Sequence, residues 1–402
     1  MRTLLLFDDR QGVLGPLTDL RASFDVRTGA FTTAQRWTAA EGLALRGVIA
    51  PTRLAEVVGE VDPDRAVNPS LPLDQRVLLV NGRCPLVLRS VLELAPSHWV
   101  RERESGHVVA ADVTIAEAAA FLGEGVLPTG PVVEEHRRVL MSRPWHVRSS
   151  RDECLRWDLK SFEGHESQAT PAGVTRFGEH HVHLARSAKV YPGVVIDSEG
   201  GPVVVDESAM VRPGAMLIGP VYVGPHSSVL ERATLRPGTA VGPWCKVNGE
   251  IGGTIFQGYA NKAHDGYLGD SWVGEWANLG AGTTNSNLLN TYGEVISRAE
   301  PEGRNERTGE QFLGATIGDH VKTAICTRIM TGAVLSTGGM FASSAPVSGC
   351  TVRFAWVTDA GSRTYRPDKF LEVMVAAMAR RKVTPSDAYV NAVMELQGPA
   401  AP

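Results

Sequence analysis

The sequence predicts an α/β domain, then a left-handed parallel β-helix, and finally a helical tail. Three observations lead to this fold class. Short β-type runs alternate with helical segments in the N-terminal third. From Val205 onward an aliphatic residue recurs at every sixth position, and neither a helix nor a simple strand has that period. Hexapeptide periodicity is typical of a parallel β-helix, and amphipathic helical patterns return after it.

Composition limits the classes of function. A chain of 402 residues suffices for two or three domains, and a net charge of −4 without a long basic run argues against a nucleic-acid partner. No apolar run has membrane-spanning length, and the opening MRTLLLFDDR is interpreted as a buried strand, not a signal peptide. The five cysteines form no C-x-x-C pair, so neither a zinc site nor a disulfide framework is expected. These features predict a soluble cytoplasmic protein that binds small molecules.

The N-terminal third is predicted to form a mostly parallel sheet. Strands are expected at Thr3–Phe7, Gly47–Ala50 and Arg76–Val80, and helices at Thr33–Ala44 and Leu54–Val61. In such sheets ligands bind beyond the carboxyl ends of the strands.

Polar residues follow two of these strands. Asp8, Asp9 and Arg10 come after the first strand, and Asn81 follows the strand that starts at Arg76. They could handle a nucleotide phosphate or a metal, with Arg21 as a further phosphate contact, because a guanidinium matches phosphate oxygens. The alternatives, a solvated turn and scattered surface arginines, are at least as common.

Four regions are predicted from these patterns: an α/β domain at 1–133, a helical linker at 134–178, a β-helix at 179–365 and a helical tail at 366–402. In the tail, helices are expected at Asp368–Arg381 and Pro385–Leu396, with Thr384 as the N-cap of the second.

The repeat array has a regular centre and two expected breaks. The regular positions are Val205, Val211, Leu217, Val223, Val229, Leu235, Val241 and Val247. After Val247 the period is expected to break, to resume with Tyr267, Val273 and Leu279, and to break again at 288–311. Loops that interrupt a solenoid often form its binding face, so these breaks point to the stretch between them, 261–287.

That stretch contains a candidate acyl-transfer site. An ammonium must lose a proton before it attacks a thioester, and an imidazole such as that of His264 is suited to accept the proton. A backbone N–H or a side-chain amide could stabilise the oxyanion that follows. A purely structural solenoid is the alternative, but it would not need His, Lys, Tyr and several Asn in one short stretch.

The motifs HDGYLGD (264–270) and NLGAGT (278–283), followed by Asn287, resemble the acetyltransferase domain of the bacterial bifunctional N-acetylglucosamine-1-phosphate uridyltransferase/glucosamine-1-phosphate acetyltransferase family. The resemblance implies that His264 is the general base and that acetyl-CoA is the acyl donor. It further implies a homotrimer with sites between subunits. The implied substrate contacts are Arg236, Tyr267, Asn278 and Asn287, with Lys246 or Lys262 as the family's lysine before the histidine, and the implied cofactor contacts are Ala281 and Thr337.

The N-terminal region departs further from that family. The glycine-rich phosphate loop of its nucleotidyltransferase is missing, and Asn81-Gly82-Arg83 stands where a metal-binding Gly-Asp is expected. Residues 4–37 instead resemble a divergent sugar nucleotidyltransferase branch that carries the same β-helix. Mg²⁺ is expected only if this domain is active.

Three functions therefore remain at the level of sequence. The favoured one is acetyl-CoA-dependent N-acetylation of an amino-sugar 1-phosphate, with glucosamine 1-phosphate preferred as the acceptor. The second is a bifunctional enzyme that also makes a nucleotide sugar such as UDP-N-acetylglucosamine. The third is a sugar-nucleotide sensor that binds without turnover.

Overall fold

A computed structural model describes residues 1–398 of the chain. Two compact units are resolved: one comprises residues 1–14, 20–26 and 31–143, and the other comprises residues 15–19, 27–30 and the chain from 144 onward. The last four residues of the predicted tail lie outside the described part. The four-region division made from the sequence stays a prediction.

The first unit is built on a six-stranded mixed sheet with helices. Its strands are β1 (Arg2–Phe7), β2 (Leu43–Ile49), β3 (Arg76–Asn81), β4 (Trp99–Glu102), β5 (Val108–Thr114) and β6 (Val132–Glu135), in the order β2-β1-β3-β5-β4-β6. Its helices are α1 (Thr33–Ala39), α2 (Ala55–Val61), α3 (Arg89–Leu92) and α4 (Ile115–Glu124), with short 3-10 turns at Ser23–Asp25 and Thr52–Leu54.

The expectation of a mostly parallel sheet is confirmed for five of the six strands. β1 is parallel to β2 and β3, and β4 is parallel to β6, but β5 is antiparallel to both of its neighbours, β3 and β4. The short connection at 103–107 accounts for the β4–β5 pair, because a link of five residues can join only antiparallel strands.

The second unit is a left-handed parallel β-helix with three faces. The first face contains Thr175–Phe177, Val195–Asp197, Met216–Ile218, Thr234–Leu235, Glu250–Gly252 and Tyr267–Gly269, and Thr284–Asn285 and Arg328–Ile329 continue it. The second face contains Val182–Leu184, Val203–Val205, Val221–Val223, Thr239–Val241, Ile255–Phe256, Trp272–Val273, Thr316–Ile317 and Val334–Leu335. The third face contains Lys189–Val190, Met210–Val211, Ser228–Val229, Lys246–Val247 and Asn261–Lys262, and continues through Asn278 to Lys322–Thr323, Met340–Ala342, Ala355–Thr358 and Gly361–Thr364.

The six-residue period places one side chain per strand inside the prism. All eight regular aliphatic positions from Val205 to Val247 are fully buried, and they visit the three faces in turn. The coils pair in register, so each inward residue lies on its counterpart in the neighbouring coil, about 4.8 Å away. The aliphatic repeat is therefore the core of the unit.

The first predicted break is a real change of period but not an interruption of the prism. Residues 250–266 continue the prism through Ile251, Phe256 and Lys262, and Leu268, not Tyr267, is the next inward residue. The period changes because the step from Val247 to Ile251 is four residues long and the step from Ile251 to Phe256 is five. Gly253 turns the intervening corner with a φ of +56°.

The second predicted break is a real insertion. Between Asn285 and Thr316 the chain leaves the prism, and it contains a small antiparallel pair of strands, Ile296–Ser297 and Glu306–Arg307.

Three helices accompany the prism: α5 (His146–Lys160), α6 (Pro367–Ala379) and α7 (Asp387–Gln397). Ser386, not Thr384, is the N-cap of α7, and its hydroxyl accepts a hydrogen bond from the Tyr389 amide at 3.0 Å. Within residues 1–398, no helix combines the length and the apolar character needed to cross a bilayer.

The inward and outward positions of one strand should differ sharply in their effect on stability. Leu217 is fully buried in the prism, whereas the adjacent Met216 is 38% exposed. We expect Leu217→Ala to lower the free energy of unfolding of the β-helix by about 2–5 kcal/mol. Met216→Ala should cost less than about 1 kcal/mol. Chemical denaturation of the two variants measures the difference, and equal losses would contradict the assigned register.

Candidate active site

His264 lies at the corner between the third and first faces, in the loop that joins the strands Asn261–Lys262 and Tyr267–Gly269. Its side chain is exposed, and among residues 1–398 the imidazole has no hydrogen-bond partner. Gly266 has a φ of +119°, and a Cβ there would lie 2.1 Å from the Thr283 carbonyl oxygen of the next coil. Glycine is therefore required two residues after the histidine, which explains the HDG sequence.

Lys262 occupies an inward position and supports the His264 loop from inside. It is fully buried and pairs in register with the core residue Val247. Its ammonium donates hydrogen bonds to the carbonyl oxygens of His264 and Asp265, the latter at 2.9 Å, with a longer contact of 3.4 Å to that of Asn248. Burial lowers the pKa of this lysine to about 8. The side chain thus faces the loop backbone, not the outer surface of the prism.

Tyr267 and Asn287, two predicted substrate contacts, are brought together on the first face. The Asn287 side-chain amide donates to the Tyr267 hydroxyl at 3.0 Å and to Asp270 at 2.8 Å. Burial, reinforced by the nearby carboxylates of Asp270 and Glu250, raises the pKa of the Tyr267 hydroxyl. The phenol is therefore held neutral and can donate a hydrogen bond.

Asp270 anchors this pair, and sequence reasoning gave it no role. Its Oδ1 accepts hydrogen bonds from Arg148 at 2.9 Å and from Arg151 at 2.8 Å, both on α5. The i,i+3 spacing of the two arginines places them on the same side of the helix. Asp270 is the last residue of the HDGYLGD motif, so the motif was the one sequence signal for its role. Its arginine partners lie more than 100 residues away in sequence, so the pairing itself had no local signal.

Arg236 lies on the first face, directly after the strand Thr234–Leu235, and the strand Glu250–Gly252 separates it from Tyr267's strand. It forms an ion pair with Glu250, and both side chains are about half exposed. Glu250 pairs in register with Tyr267, so Arg236, Tyr267 and Asn287 share one surface. An anionic group could replace Glu250 on the guanidinium, because an exposed ion pair is worth little.

Lys246 and Asn278 belong to the third face instead. Outward positions there form a column in which Lys246 pairs with Asn261, Asn261 with Asn278, and Asn278 with Lys322. Lys246 is exposed and Asn278 is half-buried. Asn261 and Lys322 were not predicted, because they become neighbours of Asn278 only through coil stacking.

The two predicted cofactor contacts lie at different corners. Ala281 is half-buried at the corner between the third and first faces, and its carbonyl accepts from the Cys326 amide of the next coil at 2.7 Å. The adjacent Ile325 is 73% exposed, so this corner offers an apolar surface suited to a pantetheine chain. Thr337 is fully buried at the corner between the second and third faces. One chain therefore does not bring the two together.

In the first unit, Asp9 and Asn81 meet at the carboxyl ends of β1 and β3. Asp9 accepts hydrogen bonds from Arg83 at 2.7 and 2.6 Å and from the Asn81 side chain at 2.7 Å. Burial alone would raise the pKa of the Asp9 carboxyl, but the hydrogen bonds and charge of Arg83 outweigh it and hold that pKa below its usual value. Asp8 accepts from the backbone amides of Ser23 at 2.7 Å and Arg10 at 2.8 Å.

This arrangement does not fit Mg²⁺. The Asp9 oxygens are already occupied by a buried arginine, and no cluster of three or more acidic, histidine or cysteine ligands occurs in residues 1–398. Gly82 packs directly on the 3-10 turn, since a Cβ there would lie 2.8 Å from the Ser23 hydroxyl oxygen. Of the two predicted arginines, Arg10 is exposed with a φ of +55°, whereas Arg21 is only 4% exposed.

Comparison with known proteins identifies one matching family model and several similar chains. Residues 4–166 match the family model described as sugar nucleotidyl transferase. The chain is 27% identical over 237 residues to the bifunctional protein GlmU of Nostoc sp., covering 52% of this chain and 50% of that protein. It is 34% identical over 134 residues to the bifunctional sugar-1-phosphate nucleotidylyltransferase/acetyltransferase of Sulfurisphaera tokodaii, covering 33% of each. The chain thus spans half the length, or less, of these curated relatives.

The buried ammonium of Lys262 predicts a pH-dependent stability difference. Its pKa is lowered from 10.5 to about 8 in the folded chain, so the unfolded chain binds more protons between those values. Stability contributed by this residue therefore rises as the pH rises from 8 to 10.5. We expect the wild type to gain up to about 3 kcal/mol relative to Lys262→Met over that range.

Denaturation curves of both proteins at pH 7 to 10.5 measure this difference, since all other titrations cancel. Lys246→Met, on the same face but exposed to water, is the matched control and should give a flat difference. A flat difference for Lys262→Met as well would show that its ammonium is hydrated in the folded chain.

Proposed function

We propose that this chain is a divergent member of the GlmU-like family. On that premise, its β-helix transfers an acetyl group from acetyl-CoA to the amine of an amino-sugar 1-phosphate. Glucosamine 1-phosphate is the preferred acceptor. The observation that carries the proposal is the exposed imidazole of His264, which has no competing partner among residues 1–398 and is held on a loop fixed by Lys262.

His264 would act as the general base. The acetyl-CoA thioester supplies the acyl group and a thiolate leaving group. As the acceptor nitrogen bonds to the carbonyl carbon, its proton passes to the His264 ring nitrogen, which can then protonate the leaving sulfur. The Lys262 contacts matter here because a base must be held within hydrogen-bond reach of the reacting amine.

The first-face group would orient the acceptor. Asn287 and Tyr267 offer amide and hydroxyl groups whose orientation is set by Asp270, and Arg236 offers a guanidinium for a phosphate. Hydrogen-bonding groups held in a fixed orientation favour a sugar that satisfies them over one that does not.

A homotrimer follows as part of the proposal. Tyr267 and Asn287 lie on the first face, whereas Asn278 lies on the third, so these contacts are divided between two surfaces of one chain. A neighbouring copy that presents its third face would complete the set. His264, at the corner between these faces, would then border the shared site.

His264→Ala should abolish most acetyl transfer. Removal of a general base costs about 10²- to 10⁴-fold in rate. The reaction is followed as free thiol release from acetyl-CoA with glucosamine 1-phosphate as the acceptor, at constant pH.

The matched control is His180→Ala, which removes an exposed histidine at the opposite end of the same array. It should keep the wild-type rate. Full activity of His264→Ala would eliminate the proposed base. No thiol release by the wild type with any amino sugar would replace the acetyltransferase with the non-catalytic sensor.

Sugar nucleotidyl transfer is the second candidate, favoured by the likeness of residues 4–166 to that class. The carboxylates at the carboxyl ends of the strands argue against turnover in the described arrangement. Asp9 is neutralised by Arg83, and the Asp8 oxygens accept backbone amides.

We therefore expect no pyrophosphate release from a nucleoside triphosphate and a sugar 1-phosphate with Mg²⁺ beyond the protein-free rate. The same preparation, shown active in acetyl transfer, provides the control for folding. Pyrophosphate release that is lost in Asp8→Asn would establish the bifunctional enzyme instead.

A further inference from the structure

A cavity of about 120 Å³ lies on the third face, where α6 ends against the β-helix. Asn261, Asn278 and Lys322 line it from three successive coils, and Arg380 and Arg381 line it from the end of α6. The volume is about four times the share of one water in liquid water, so the cavity admits a polyatomic ion. Only Asn278 among these residues was expected to contact a ligand.

The cavity carries three cations and no carboxylate among its lining residues. Within the described chain, the Lys322 ammonium makes no hydrogen bond or ion pair, and burial lowers its pKa to about 8. Arg381 donates to the Asn261 side chain at 2.8 Å, which aims its guanidinium along the column. The C-terminal end of a helix favours cations, which accounts for the two arginines at the end of α6. It does not account for Lys322, because that residue belongs to the prism.

An aromatic wall borders the same cavity. The rings of Tyr259 and Trp276 are stacked at 4.4 Å with an angle of 20° between their planes. Both residues are held at prism corners with φ values of +53° and +60°. This set of groups matches a phosphorylated ligand that carries a ring. The ammonium, the two guanidiniums and the two side-chain amides can bind phosphate oxygens, and the flat apolar rings can pack against the ligand's ring.

We propose that this cavity binds a phosphoryl group of a substrate, held by Lys322, Arg380 and Arg381, with the side-chain amide of Asn278 beside it. For the identity of the ligand the proposal rests on the acetyltransferase function. The phosphoryl group could come from the acceptor sugar 1-phosphate or from the coenzyme A moiety. Lys322 pairs with Asn278 across neighbouring coils, which places a cation beside that amide.

The first test uses inorganic pyrophosphate as the probe, titrated calorimetrically into the full chain at pH 7. Loss of one charge-assisted hydrogen bond weakens binding about ten- to hundredfold, and that loss is expected for Lys322→Met and for Arg381→Gln. Lys189→Met is the matched control, since Lys189 is an exposed outward lysine on the same face at the other end of the array, and it should bind like the wild type. Equal affinity of wild type and Lys322→Met, or no binding at all, would overturn the site.

The second test separates the two sources of the phosphoryl group. If the sugar phosphate occupies the cavity, Lys322→Met should raise the KM for glucosamine 1-phosphate but not for glucosamine. If the 3′-phosphate of coenzyme A occupies the cavity, the KM should rise for acetyl-CoA but not for 3′-dephospho-acetyl-CoA. If the diphosphate of coenzyme A occupies it, the KM should rise equally for both.

The same variants distinguish this site from the acetyltransferase function. If pyrophosphate binding depends on Lys322 but the protein transfers no acetyl group, the phosphoryl site is supported and the acetyltransferase function is rejected. Acetyl transfer with unchanged KM values for both substrates in Lys322→Met would keep the function and remove the site.

Discussion

The β-helix depends on one constraint: each short strand must place one apolar side chain inside a narrow prism. Coils that satisfy it stack in register. The outward residues then form columns, and successive residues of one column lie about 4.8 Å apart. Asn278 and Lys322 are 44 positions apart in sequence and become direct neighbours for this reason alone. The chemistry of the outer surface is thus a by-product of how the interior is packed.

Lys262 is a charged exception to this constraint, and its energetic cost is offset by the loop that it supports. An ammonium among aliphatic residues loses its hydration, which is why its pKa is lowered to about 8. Carbonyl oxygens of the His264–Asp265 loop offset part of that loss. An apolar residue at this position would pack without the desolvation penalty, but the carbonyl oxygens of His264 and Asp265 would lose the hydrogen bonds that hold their loop. A stability penalty beside the proposed general base is the compromise expected at a functional site.

Sequence periodicity predicted the core wherever all corners have the same length. It failed at 250–268, because a four-residue step from Val247 to Ile251 and a five-residue step at Gly253 shifted the phase, and the outward Tyr267 was mistaken for a core residue. Long-range polar contacts were beyond sequence reasoning for a related cause. The partners of Asp270 lie on α5, and neither their distance nor their orientation is encoded in the local pattern.

The two units of the chain differ in what their polar groups are free to do. At the carboxyl ends of β1 and β3, Asp9, Asn81 and Arg83 satisfy one another, and a site whose charges are already paired has little left to offer a metal or a triphosphate. In the β-helix, by contrast, the imidazole of His264 and the ammonium of Lys322 have no partner in the described chain. Both groups remain available to a ligand, which is why we propose acetyl transfer for the β-helix and not for the first unit.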